Sequence, residues 1–287
     1  MYERILLPVD GSTGANEVLY HAGEIAQWTG GSVQLLFVAD TARDSVTVVE
    51  NDVVDALEQE GSEIVDEAGE VLDSLGVEYS TDVVQGDPVP TIVEYADRYD
   101  YDVVVMPTRG RQGLSRQLLG SVTEKVVRLC EQPVLTARTG TDRALAFPYE
   151  RIVVPTDGSP AASHAAEHAI DVGAALDATI HVLSAVDDSL LGFDVRSAVS
   201  EAEGEKAANE AVENVASSAE SRDVDVVRHI ERGSPHEMIL DCVAENEADA
   251  VVMGTTGKRA VDRILLGSVA EKTIRTSPVP VVSVRNV

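Results

Sequence analysis

The residues Tyr2-Glu3-Arg4-Ile5 return as Tyr149-Glu150-Arg151-Ile152, an offset of 147 that also relates Asp10 to Asp157, Asp40 to Asp187, Gly86 to Gly233, Pro88 to Pro235, Gly110 to Gly257, Ser121 to Ser268 and Pro133 to Pro280. Equivalent positions stay in step along the chain, so the two halves align without a net insertion. A repeat this long marks a duplicated domain, because solenoid units recur every roughly 20–50 residues. Whatever architecture suits one half must suit the other.

Within the first half, short apolar runs alternate with amphipathic ones. Residues 4–9 predict a strand ending at Asp10-Gly11-Ser12. Residues 13–28 predict a helix with Val18, Ala22, Ile25 and Ala26 on one face, ended by Gly30-Gly31. A second buried strand covers 33–38. An acidic stretch follows Asp40, and then a helix places Ile64, Ala68, Val71, Leu72 and Leu75 at helical spacing until Gly76 stops it. Residues 77–84 predict a third strand, Gly86-Asp87-Pro88 a turn into a short helix through Ala96, and residues 103–106 a fourth strand. A loop at 107–120 leads to a helix over 121–129, and residues 134–137 close as a fifth strand. Strands that alternate with helices imply a doubly wound, Rossmann-like α/β fold with a parallel sheet and right-handed crossovers. The second half repeats every element. The segment 139–148, polar at its start and without periodicity, reads as a linker between domains at 1–138 and 149–287.

The chain has 287 residues, 44% of them hydrophobic, enough for two domains that each bury a core. Fifty acidic residues face 22 basic ones, a formal charge of −28, and only Lys125, Lys206, Lys258 and Lys272 are lysines. The halves share this acidity, with 10 basic and 26 acidic residues in 1–147 and 12 and 24 in 148–287. An acidic, lysine-poor surface on a globular composition suggests a salt-rich, halophilic cytosol in which the charge is screened. Nucleic acid is an unsuitable partner, since its phosphates would be repelled. With no basic leader, no apolar stretch of signal-peptide length and no run approaching a membrane span, a cytoplasmic location is expected. Cys130 and Cys242 occupy non-equivalent places and read as small buried hydrophobes.

Residues 251–268, V-V-M-G-T-T-G-K-R-A-V-D-R-I-L-L-G-S, carry the densest chemistry. A buried strand ends at Met253. Gly254 and Gly257 can take positive φ and bring bare backbone N–H groups close to a ligand, with Lys258, Arg259 and Arg263 beside them. Gly267 and Ser268 open a helix whose unpaired N–H groups and dipole favour an anion. Together these parts make a phosphate cradle. The bland alternative is a set of tight turns, with Ser268 capping the helix and Glu271 completing a capping box. At the start of the same half, Asp157-Gly158-Ser159 reads as a turn, with Ser159 capping a helix that has Pro160 at its first position.

The spacing Gly254, two residues, Gly257, nine residues, Gly267-Ser268 resembles the nucleotide-binding signature G-x2-G-x9-G-[ST] of the universal stress protein family, and Arg151-Ile-Val-Val-Pro-Thr-Asp157-Gly-Ser159 looks like that family's first strand. The resemblance covers nearly the whole chain and occurs twice. It implies strand order 3-2-1-4-5 and ATP as ligand, with Mg2+ accompanying the nucleotide. Pro155, Thr156 and Asp157 would hold adenine and ribose, Ala185 would line the base pocket, and Met253 would pack against it. Gly254, Gly257, Gly267, Ser268 and Val269 would take the phosphates. The same implication assigns Pro8, Val9, Asp10, Val38, Met106, Gly110, Gly120, Ser121 and Val122 to a first-half site. There Pro107 replaces the first glycine, which removes an N–H and fixes φ. Arg109, Arg111 and Arg116 supply compensating charge, and the site reads as degraded. The resemblance further points to a pseudo-dimer paired through the last strand of each half, to a further homodimer and to a protein partner of unknown identity. It also allows for members that bind no nucleotide and serve as interaction modules.

Two enzyme readings are weaker. His164-Ala-Ala-Glu167-His168 matches the H-x-x-E-H pattern of inverted zinc peptidases, yet the first half keeps only His21, so surface histidines one turn apart are expected instead of a metal site. For ATP hydrolysis, Gly257-Lys258 is followed by Arg259 and no P-loop is present. No residue stands out to orient an attacking water, and no carboxylate pair offers itself to metals, so no catalytic residue is assigned. Regulatory binding with little or no turnover is the reading favoured, a weak ATPase the alternative. His236 reads as a helix-start residue.

Overall fold

The computed structural model describes residues 1–12, 15–40, 52–109, 119–140, 143–186, 195–257 and 265–286. The chain divides into two compact units, Met1–Phe147 and Pro148–Val287. In the first, β1 (Arg4–Val9), α1 (Ala15–Thr29), β2 (Ser32–Ala39), α2 (Asp52–Leu75) and β3 (Glu78–Gln85) are followed by α3 (Pro88–Arg98), β4 (Val103–Pro107), α4 (Ser121–Leu129) and β5 (Val134–Ala137). In the second, β6 (Arg151–Pro155), α5 (Pro160–Leu176), β7 (Thr179–Val186), α6 (Val195–Glu220) and β8 (Val226–Arg232) precede α7 (Pro235–Glu245), β9 (Ala250–Gly254), α8 (Ser268–Thr276) and β10 (Val281–Val284).

All strand pairs within each unit are parallel, in the orders β3-β2-β1-β4-β5 and β8-β7-β6-β9-β10. The expected order 3-2-1-4-5 therefore holds in both units. Right-handed crossovers that step one way from β1 to β3 and the other way from β4 to β5 put α1 and α2 on one face and α3 and α4 on the other. The packing of α1 on α2 and of α3 on α4 agrees, and the second unit matches it with α5 on α6 and α7 on α8. Central strands covered on both faces must be apolar throughout, and Val103, Val104 and Val105 of β4 and Val251 and Val252 of β9 are almost wholly excluded from solvent. No described helix is long and apolar enough to cross a membrane.

Helix endings show how the same backbone is written in two ways. Gly30 and Gly76 end α1 and α2 with φ of 68° and 69°, and the equivalent positions of the second unit are Asp177 and Asp223, at 56° and 57°. The left-handed conformation is demanded by the fold, and aspartate tolerates it better than most residues with a Cβ. Gly31 is needed for a different reason. A Cβ there would lie 2.3 Å from the Glu3 carbonyl oxygen.

Each unit also fastens the start of its first strand with a carboxylate. Asp102 Oδ2 accepts from the Glu3 and Arg4 amides at 2.7 and 3.0 Å, and Asp249 Oδ2 accepts from the Glu150 and Arg151 amides, both at 2.9 Å. The segment after β5 returns along α1 of its own unit. The Gly140 amide donates to both carboxylate oxygens of Glu17, at 3.2 and 3.0 Å, and the Phe147 ring meets Trp28 and His21 edge-on.

Candidate functional site

In a parallel sheet the order reverses beside the first strand, and ligands lie beyond the carboxyl ends of the strands on either side of that point. In the second unit this place lies between β6 and β9, which pair through Ile152–Ala250 and Val153–Val251. That register sets Met253 level with Pro155. On the other side of β6, Pro155 pairs with Leu183, which sets Ala185 level with Asp157. Pro155, Thr156, Asp157, Ala185, Met253 and Gly254 therefore meet at one end of the sheet.

Beyond β6 the chain turns sharply into α5. The Thr156 amide donates to the Leu183 carbonyl at 2.8 Å, and its hydroxyl accepts from the Gly158 amide at 3.2 Å. Asp157 Oδ1 accepts from the Ser159 amide at 2.9 Å, and Ser159 Oγ accepts from the Ala162 amide at 3.2 Å as the cap of α5. Gly158 sits at φ 71°, where a side chain would be strained. The turn, the Ser159 cap and Pro160 at the first helical position are as the sequence indicates.

None of Gly254, Gly257 and Gly267 takes positive φ. What each supplies is missing volume. A Cβ on Gly254 would sit 2.8 Å from the carbonyl oxygen of Ala161, one on Gly257 would sit 2.9 Å from Asp157 Oδ2, and one on Gly267 would lie 3.2 Å from the Thr255 carbonyl oxygen. Gly254 thus lets β9 pass close under the first turn of α5, and Gly257 brings the loop backbone onto the Asp157 carboxylate.

The expected capping box is not formed. Gly267, at φ −65° and ψ 143°, is the N-cap of α8, so Ser268 stands one place inside the helix and no side chain caps it. The Glu271 amide donates to the Gly267 carbonyl at 2.9 Å, and the Gly267 amide to the Thr255 carbonyl at 2.8 Å. Exposed Ser268 and half-buried Val269 begin the helix at the same end of the sheet. Thr255, buried and bonded through its amide to Val284, is the anchor that sequence reasoning missed; its recurrence as Thr108 was the available signal.

The first unit repeats this foot of the loop. The Gly120 amide donates to the Thr108 carbonyl at 2.8 Å, Gly120 is the N-cap of α4 without a side-chain cap, and Asp10 Oδ1 accepts from the Ser12 amide at 3.0 Å. Ser121 is exposed and Val122 half-buried at the start of α4, while Pro8, Val9, Val38 and Met106 stand at the ends of β1, β2 and β4. Buried Pro107 occupies the place of Gly254. Gly110, Arg111, Arg116, Lys258, Arg259 and Arg263 lie outside the described residues, as does Asp187.

His164, Glu167 and His168 do not assemble a metal centre. Glu167 bonds Arg222 and accepts from Ser218 Oγ at 2.8 Å, and Arg222 also bonds Asp171 at 2.7 Å. Among the described residues no three His, Cys, Asp or Glu side chains are placed to hold a metal ion. Burial is the main cause that pushes His168 down to about 4, against the opposing pull of Asp171. His236 lies in the first turn of α7, 3.3 Å from Thr276 Oγ1. Cys130 and Cys242 are buried thiols, as expected.

Residues 1–138 and again 148–285 match the Universal stress protein family. The chain belongs to that family. One relative is the universal stress protein MJ0531 of Methanocaldococcus jannaschii, 38% identical over 144 residues that span 48% of this chain and 82% of the relative. Another is the universal stress protein Rv2005c of Mycobacterium tuberculosis, 30% identical over 239 residues that span 79% of this chain and 78% of the relative. Among solved structures, a universal stress protein from Archaeoglobus fulgidus superposes over 99% of this chain and 96% of its own, with a TM-score of 0.71 and 26% identity. Membership of the family accounts for both the duplicated fold and the matching strand ends.

Proposed function

We propose that the second unit binds ATP as a regulatory or protective ligand, with little or no turnover. The observation that carries this reading is the void at Gly257, where a single methyl group would strike the Asp157 carboxylate. A loop that only had to turn would not need its backbone there. Pro155, Thr156, Asp157 and Ala185 would receive the base and ribose, with Met253 behind them. Gly254, Gly257 and Gly267 with the open amides of Ser268 and Val269 would receive the phosphates, which suit an uncapped helix start. Mg2+ would travel with the nucleotide and neutralise phosphate charge beside an acidic surface. Bound nucleotide would join the strand ends to the start of α8 and so change the surface offered to a protein partner or a second copy, by as much as its affinity differs between the two states.

The first unit would supply a reduced version from Pro8, Val9, Asp10, Val38, Met106, Gly110, Gly120, Ser121 and Val122, with one backbone donor fewer because of Pro107. The test is to denature the purified protein in high-salt buffer and to identify and count the nucleotide released. One ATP per chain supports a site in the second unit alone, and two extend it to the first. ADP, followed by product formation from added ATP, would favour a slow ATPase. No nucleotide, together with no binding of added ATP and Mg2+, would leave an interaction module. Gly257→Val is expected to weaken ATP binding on the order of a hundredfold, measured by calorimetric titration; an unchanged affinity would sink the proposal.

A further inference from the structure

The edge of the second unit carries a feature that the first lacks. On β7 and β8, His181 Nδ1 and His229 Nε2 stand 3.0 Å apart, with ring planes 17° from parallel and ring centroids 5.3 Å apart. A nitrogen-to-nitrogen distance of 3.0 Å and a centroid distance of 5.3 Å fit together only if both nitrogens lie near the line between the centroids. The rings therefore meet end to end and nearly coplanar, not face to face. In-line lone pairs leave no third point on which to converge, so the pair does not chelate a metal, whose bonds of about 2.0–2.1 Å would need the nitrogens about 4 Å apart in line. What fits is one proton between them, donated by one ring and accepted by the other.

We propose that His181 and His229 form a proton-operated latch that fastens edge strand β8 to β7 and lets it go when both rings are protonated. A neutral pair holds one N–H···N bond. The first added proton leaves one inward N–H facing one inward lone pair, so the bond survives. A second proton has to enter the space between the rings, where two N–H groups would face each other. Burial of His181 opposes it most, then the charge on His229, then Arg151 of β6, and all three hold the His181 imidazole below its ordinary range. Glu231 of β8 and Glu245 of α7 lie by the Cys242 thiol of α7, Asp225 precedes β8 in step with His229, and Glu247 pairs with Arg151 at 3.5 Å. Burial pushes the Cys242 thiol up to about 11, so it stays neutral throughout.

On the opposite face β8 is tied to α6 by ion pairs, Arg228 to Glu213 at 3.1 Å and to Glu220 at 2.8 Å, and Arg232 to Glu205. Those pairs involve no imidazole, so protonation of the two histidines leaves them in place and the opening is confined to the β7–β8 ladder. The first unit has Gln34 and Asp82 at the equivalent positions. Gln34 Oε1 accepts from Ser80 Oγ at 2.6 Å across β2 and β3, a bond that no proton near neutrality can break.

The experiment is an NMR titration of the whole 15N-labelled chain from pH 8 to 4.5. It follows the imidazole nitrogens and the amide exchange of β8 relative to β3. The expected result is a pair that titrates in two separate steps, with the β8-to-β3 exchange ratio rising roughly tenfold across the second. In H181Q/H229Q, which removes both imidazoles and keeps His168, the ratio is expected to stay flat. One-step titration of both rings in the ordinary imidazole range, or a flat ratio in the unaltered protein, would overturn the latch without any variant. An equal rise in the double variant would overturn it as well.

Discussion

The two units share one backbone plan and differ in how side chains meet its demands. Where a helix must end left-handed, the first unit uses Gly30 and Gly76 and the second Asp177 and Asp223. Where the fourth strand passes the first helix, the first unit has Pro107 and the second Gly254, with space for nothing larger. At the outer edge, the first unit joins its strands through Gln34 and Ser80, and the second through two imidazoles. The carboxylate grips of Asp102 and Asp249, in contrast, are the same. The geometry has been retained while the chemistry that supports it has been exchanged.

The sharpest way to break this comparison is at Gly254. Gly254→Val drives a branched side chain into the backbone of Ala161, with no flexible neighbour to yield, and is expected to cost about 3 kcal/mol. The reading is a lower denaturation midpoint for the second unit, followed through segment-resolved hydrogen exchange, while the first unit's protection is unchanged. A loss below about 0.5 kcal/mol would mean that the close approach is not rigid.

Acid should also act unevenly. The folded-state value of His168, about 4, lies below the ordinary imidazole value of 6.5. The unfolded chain therefore takes up the proton first. The stability that His168 contributes is fully present above about pH 6.5 and is lost as the pH falls towards 4, a change of about 3 kcal/mol. His168→Gln should flatten this part of the stability profile measured by denaturant titration; a profile unchanged from the parent would rule the residue out as the source.

The strand grips predict symmetry. Asp102→Ala and Asp249→Ala should each cost about 1–2 kcal/mol, since each leaves two amides without their carboxylate. Unequal losses, differing by more than about 1 kcal/mol in thermal unfolding, would show that the grips are alike only in geometry. The smallest effect is at the helix ends. Asp177→Gly and Asp223→Gly should stabilise the second unit by about 0.5 kcal/mol each by relieving the left-handed strain, and Gly76→Asp should cost the first unit a similar amount.

The alternation of apolar runs, the duplicated Asp-Gly-Ser turn and the helix-ending glycines made the architecture legible, because each is a local signal read within a few residues. The meeting of the ends of β6, β7 and β9 at one end of the sheet was legible too, once the order 3-2-1-4-5 was expected. The reason for the loop glycines was not. A residue that takes positive φ and one that merely lacks a Cβ are spelled the same way, and only the proximity of Ala161 and Asp157 tells them apart. The cap of α8 was misplaced by one residue, since Ser268 and Glu271 have the right spacing for a box but the N-cap is one step earlier, at Gly267. The grips of Asp102 and Asp249 and the pairing of His181 with His229 join residues far apart in sequence, which no window along the chain reveals. The packing of Phe147 on Trp28 escaped notice for the same reason, as residues 139–148 carry no periodicity of their own.

The void at Gly257 has a consequence for heredity. The neighbour that a methyl group would strike there is the end of a side chain, able to swing aside, and not the backbone met at Gly254. A glycine codon becomes an alanine codon by a single base change. Such a change at 257 would push the Asp157 carboxylate out of place and leave strands, helices and core untouched. A copy of this domain can therefore lose the geometry proposed here for nucleotide binding in one mutational step and persist as a folded scaffold, available for other work.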